Sequence, residues 1–83
     1  MADKRIAILK QANKLFRQGK ADAAIKEYKK ILELKADDLE VRRIEGDLEL
    51  RQNNNKRAIE QFEWIDEYYL KEGFFAKAIA MLK

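Results

Sequence analysis

Displaced by 34 residues, the 83-residue chain matches itself: Ala24 meets Ala58, Ile25 meets Ile59, Tyr28 meets Phe62 and Ile31 meets Ile65. Earlier in the same frame Ala12 meets Gly46, Phe16 meets Leu50 and Gln18 meets Gln52. A fixed period of this length marks one supersecondary unit used more than once, and such a unit cannot bury its apolar face alone. The halves must therefore stack on each other to make a core.

Within each unit the apolar residues recur at helical spacing. Ile8, Leu9, Ala12, Leu15 and Phe16 share one side of a first helix, predicted from about Lys4 to Gln18. Asp3 is placed to cap its start, and Gly19 to supply the left-handed residue past its end. A second helix resumes at Ala21 with Ala24, Ile25, Tyr28, Ile31 and Leu32, and stops near Leu34. After a short connection, Asp37 with Glu40 three residues on reads as a capping box for a third helix, which carries Val41, Ile44 and Leu48 to about Gln52. Asn53, Asn54 and Asn55 make a turn, with Asn55 as the cap of a fourth helix. That helix shows Ala58, Ile59, Phe62, Ile65 and Tyr69 and reaches Glu72, where Gly73 ends it. A fifth helix, Phe74 to Lys83, is apolar on most sides through Phe74, Phe75, Ala78, Ile79, Met81 and Leu82. No strand survives, and the short connections suit antiparallel helix pairs. The expectation is one all-α domain, residues 1–83, of five helices.

Composition narrows the function. The chain has no Ser, Thr, Cys or His, so the usual hydroxyl and thiol nucleophiles, the common general base and the zinc ligands are missing together. An enzyme would have to work with carboxylates, Lys and Tyr. Pairs such as Asp66 with Glu67 or Glu45 with Glu49 read as acids along a helix face, without a pocket around them. Asp37, Asp38 and Glu40 lack the glycine and ligand ladder of a calcium loop. The chain is read as non-enzymatic, with no cofactor and no metal. No stretch approaches the roughly 18 apolar residues of a membrane span. Asp3, Lys4 and Arg5 break any leader-like apolar run, so a cytoplasmic setting is expected.

The net charge of +3 is unevenly spread. Residues 1–35 hold ten Lys/Arg against four Asp/Glu, a balance of +6, whereas residues 36–72 hold six against eleven, a balance of −5. Such a bipolar chain can steer an acidic partner or let two copies dock end to side; otherwise the charges are a solvated surface.

The runs Gly19-Lys20-Ala21-Asp22-Ala23-Ala24-Ile25-Lys26-Glu27-Tyr28 and Gly46-Asp47-Leu48, with the small and aromatic residues above, resemble the tetratricopeptide repeat family. The likeness covers residues 5–38 as one repeat and 39–72 as a second, with 73–83 as a partial repeat. Tyr69 to Ile79 looks like another helix end, turn and helix start, and its Ala78 arrives only 20 residues after Ala58, so the fourth helix can serve twice. Departures concentrate in the third helix. Where the family favours Trp and Leu, the first repeat has Ile8 and Gln11 and the second Arg42 and Glu45; a further apolar position is Leu15 and then Glu49, and the closing Pro is Ala36 and then Leu70. The third helix is therefore expected either to be rotated by about 100° or to turn its charged side to solvent or a second chain.

The resemblance implies an α-solenoid whose first helices line a concave groove for a peptide or helix of another protein. Its groove positions fall on Ile6, Leu9, Lys10, Asn13, Phe16 and Arg17, and on Glu40, Arg43, Ile44, Asp47, Leu50 and Arg51. Phe16, Leu9 and Arg43 are the candidate anchors, although Leu9 and Phe16 also read as core. The carboxylate clamp of chaperone-binding members is incomplete: Asn13 is in place, its lysine is displaced to Lys10, and Ile44 stands where a second Asn is needed.

A self-associating module is the alternative. Trp64 and Tyr68 form a second apolar side on the fourth helix, and with Phe74, Phe75, Ile79, Met81 and Leu82 they make a candidate homodimer surface, unless the fifth helix covers them. A place in a longer repeat array would cover the same surface. Nucleic-acid binding through Lys20, Lys26, Lys29 and Lys30 around Tyr28 is the weaker rival, since Tyr28 stands at a core position.

Overall fold

The computed structural model describes residues 2–72. Four helices fill them: α1 (Ala2–Arg17), α2 (Ala21–Leu34), α3 (Leu39–Arg51) and α4 (Asn55–Lys71). Among the described residues there is no strand, and no helix is long and apolar enough to cross a membrane. The expected fifth helix, with Phe74, Phe75, Ile79, Met81 and Leu82, lies outside the described residues.

The two turns that close α1 and α3 repeat each other atom for atom. After α1, Gly19 takes φ +77°; its N–H donates to Phe16 O at 3.0 Å, and the Lys20 N–H donates to Leu15 O at 2.9 Å. After α3, Asn53 takes φ +62°; its N–H donates to Leu50 O at 3.1 Å, and the Asn54 N–H donates to Glu49 O at 2.8 Å. This pair of bonds satisfies two orphan carbonyls at a helix end and needs a left-handed residue, which Gly supplies freely and Asn tolerates. Three expected caps differ: Asp3 lies inside the first turn of α1 and not before it, and two others move by one residue. α3 is capped by Asp38 rather than Asp37, its side chain accepting from the Val41 N–H at 3.3 Å. α4 is preceded by Asn54 rather than Asn55, and the Asn54 side chain makes no cap but donates to Glu49 Oε1 at 3.2 Å.

α1 packs along α2, α3 packs along α4, and α2 joins the two hairpins by lying against α3. The core runs through Ala12, Ala24, Ile25, Tyr28, Ile31, Val41 and Leu48, with Ala58 and Ile65 buried in the second hairpin. Ala12, Ala24 and Ala58 are fully or almost fully covered because small residues let backbones approach. Ala24→Leu and Ala58→Leu are each expected to overpack these contacts and to cost about 1–3 kcal/mol. Urea titrations of the two variants check this, and midpoints equal to that of the parent would contradict the close approach.

α3 corrects the expectation drawn from its charged residues. It is neither rotated away nor turned to solvent: Gly46 faces α4, and a Cβ built on it would lie 2.9 Å from Phe62 Cζ. Glu45 and Glu49, each 1 % exposed, point inward with Val41 and Leu48. The reason is position in the stack. α3 is flanked by both α2 and α4, so more of its circumference is covered than an isolated helix pair would cover.

Candidate functional site

Phe16 of α1 and Ile44, Asp47, Leu48 and Arg51 of α3 line a cleft of about 150 Å³ between the two helices. Four of these five were assigned to the groove from the sequence; Leu48 was read as core and serves as its floor, at 3 % exposure. The Arg51 guanidinium carbon sits 5.7 Å from the Phe16 ring centroid, within reach of the ring's electron-rich face. Phe16 remains 39 % exposed and Leu50, on the same side of α3, 51 % exposed. The site is thus an apolar notch rimmed by a cation and a carboxylate.

The other assigned residues divide. Ile6, Lys10 and Arg17 are exposed along α1, whereas Leu9 is half-buried against the core. Asn13 is committed inside the fold, because the Tyr28 hydroxyl donates to its Oδ1 at 2.6 Å. Glu40 and Arg43 line a separate cleft of about 330 Å³ with Leu39, Ile65 and Tyr69. Arg43 therefore belongs to the α3–α4 side and not to the notch beside Phe16.

Arg5, which sequence reasoning passed over, ties the start of α1 to the start of α3. Its Nε donates to Asp38 Oδ2 at 2.6 Å, and its Nη2 reaches Asp38 Oδ1 at 3.3 Å and Glu40 Oε1 at 3.4 Å. Burial works to raise the Asp38 carboxyl, but the bonds from Arg5 and the Val41 N–H, with the charges of Arg5 and Lys35, hold it below the usual carboxylate range. The only sequence signal for this contact was the excess of cations in the first helix facing acids in the connection.

Trp64 and Tyr68 are half-buried and stacked, with centroids 5.7 Å apart and planes 11° from parallel. Arg42 lies over Trp64 with its guanidinium carbon 3.8 Å from the ring centroid, its Nε donating to Ala36 O at 2.7 Å and its Nη1 to Gln61 Oε1 at 2.9 Å. One face of this candidate dimer surface is thereby covered from within the chain. A cleft of about 150 Å³ remains on it, lined by Trp64, Glu67, Tyr68 and Lys71.

Away from the α1–α3 cleft, Asp22, Ile25, Lys26, Lys29, Glu49 and Arg57 surround a hollow of about 310 Å³ where α2, α3 and α4 meet. Lys20, Lys26, Lys29 and Lys30 are exposed, but Tyr28 among them is 1 % exposed and cannot stack on a base. Among the described residues no group of three or more acids is arranged to hold a metal ion. No family model matches the chain, and no curated protein or solved structure matches it either.

Proposed function

We propose that the chain is a non-catalytic interaction module, a tetratricopeptide-like α-solenoid that binds a peptide or helix of another protein along α1 and α3 in a cytoplasmic setting. The observation that carries this reading is the Phe16–Ile44–Leu48 notch with Arg51 over the Phe16 ring. Two helices there present an exposed aromatic ring beside an arginine, and aromatic and arginine side chains dominate binding hot spots. An amphipathic helix can lay its apolar side into such a groove. The stacked hairpins and the turns repeated at 34 residues support the solenoid part of the reading.

Panning a displayed peptide library on the chain, followed by affinity measurement on the selected peptides, tests the assignment. Phe16→Ala is expected to weaken them tenfold or more, equivalent to about 1.4 kcal/mol, while Lys30→Ala on α2 leaves them unchanged. Peptides that bind both variants equally well would remove the groove from consideration.

A further inference from the structure

We propose that the α1–α3 groove accepts the acidic outer face of α4 from a second copy of this chain, so that copies associate head to tail. The inference rests on the groove reading and names its occupant.

On α4, Ile59, Glu60, Glu63, Glu67 and Leu70 are all exposed, Ile59 at 54 % and Leu70 at 49 %. At the angular step of an α-helix they fall within an arc of about 100°. This arc turns away from Ala58 and Ile65, which are buried against the rest of the fold. Lys56 shares the arc at its N-terminal end, leaving three carboxylates against one ammonium. The face is therefore an acidic strip with an apolar residue near each end.

The groove is its complement. Arg51 and Asp47 rim the cleft itself, and exposed Lys10 and Arg17 on the outer side of α1 add cations beside it, against exposed Glu40 at the start of α3. Exposed Ile6, at 45 %, and Phe16, at 39 %, supply apolar contacts along the same side of α1. Spacing agrees as well as charge. Ile59 and Leu70 stand about 16 Å apart along their helix axis, and Ile6 and Phe16 about 15 Å along theirs. The matched axial rise lets a helix laid along α1 bring an apolar residue near each end of the groove, with Glu60, Glu63 and Glu67 between those ends, although Ile6 and Phe16 stand about 80° apart around α1 and Ile59 and Leu70 about 20° apart around α4. The bipolar sequence, +6 over residues 1–35 and −5 over residues 36–72, is the same complementarity seen along the chain.

Groove and strip are different surfaces, so the contact is heterologous: each added copy leaves one groove and one strip unfilled, and association continues into chains or rings. One helix face in one groove is smaller than a standard interface, so exchange is fast and the contact weakens with salt. The same contact would compete with a foreign acidic helix for the groove.

Sedimentation velocity of the whole chain from micromolar to millimolar concentration, at low and high salt, tests this with two variants, each checked for helicity by circular dichroism. Arg17→Gln/Arg51→Gln alters only the groove, and Glu60→Gln/Glu63→Gln/Glu67→Gln alters only the strip. The parent is expected to grow in mass with concentration and to return towards the 9.8 kDa monomer in high salt. Each variant alone should associate at least tenfold more weakly. An equimolar mixture restores one intact contact and should stop at a dimer. A parent that stays monomeric throughout, or association unchanged in both variants, would overturn the proposal. A monomeric parent whose groove still binds library peptides defeats the second copy and leaves the groove reading intact. Association lost in the strip variant but kept in the groove variant defeats the groove.

Discussion

Tyr28→Ala is expected to remove about 3–5 kcal/mol of folding free energy, the range for deleting a buried aromatic ring. A chain of 83 residues holds about 4–12 kcal/mol in total at the usual density of stability per residue. The variant should therefore be far less helical than the parent at the same temperature. Tyr28 is 1 % exposed and lies in a core shared by α1, α2 and α3. Its hydroxyl also holds Asn13 Oδ1 at 2.6 Å, so Tyr28→Phe should cost only about 1 kcal/mol, the net value of one such bond. Phe62, the matching ring of the second hairpin, is only half-buried, although its edge touches Gly46. Phe62→Ala should cost clearly less than Tyr28→Ala. Urea denaturation followed by circular dichroism ranks the three variants, and equal losses at 28 and 62 would show that the two rings are not placed as described.

Glu45→Met is expected to stabilise the chain at neutral pH, because a buried carboxylate with no ion-pair partner costs more than an apolar side chain of similar volume. Glu45 is 1 % exposed, Oε1 has no hydrogen-bond partner, and Oε2 accepts from Gln61 Nε2. Burial pushes its carboxyl above the ordinary range and the neighbouring Glu49 adds to this, while Lys29, Arg42 and the Gln61 bond pull the other way. The folded chain therefore binds this proton more tightly than the unfolded chain does. The group's stabilisation is complete below the ordinary glutamate range and is lost as pH rises through the raised folded value. Asp38 acts in the opposite sense: its lowered carboxyl stabilises the fold above the ordinary aspartate range and loses that effect as pH falls through its folded value. Thermal melts from about pH 4 to pH 8 should show the parent losing stability on the alkaline side of the glutamate range. Glu45→Met and Glu45→Gln should both flatten that side while keeping the acid-side loss, and Glu45→Gln keeps an acceptor for Gln61. An unchanged profile in both variants would show that Glu45 is not the group responsible.

Much of this architecture is legible from local chemistry. Left-handed Gly19, a turn at Asn53, and the span of α2 from Ala21 to Leu34 follow from residue type and helical spacing alone. The Phe16–Ile44–Asp47–Arg51 grouping is legible as well, because residues of one helix face stay together wherever the helix goes. Other assignments fail where two helices must be placed relative to each other. Arg43 leaves the notch for the α4 side, Asn13 is taken by Tyr28, and Arg42 closes over Trp64. Each depends on an approach across 15 to 26 positions of chain that no local pattern encodes.

The 34-residue repeat, the helices it implies, their turns and the bipolar charge are determined by the sequence itself, since each rests on backbone preference or on composition within a few residues. The fate of α3 was decided only by the tertiary structure. Periodicity states which side chains share a face, not how many neighbours press on it. Because both α2 and α4 flank α3, Glu45 and Glu49 are enclosed, although on an outer helix the same residues would have been surface charge.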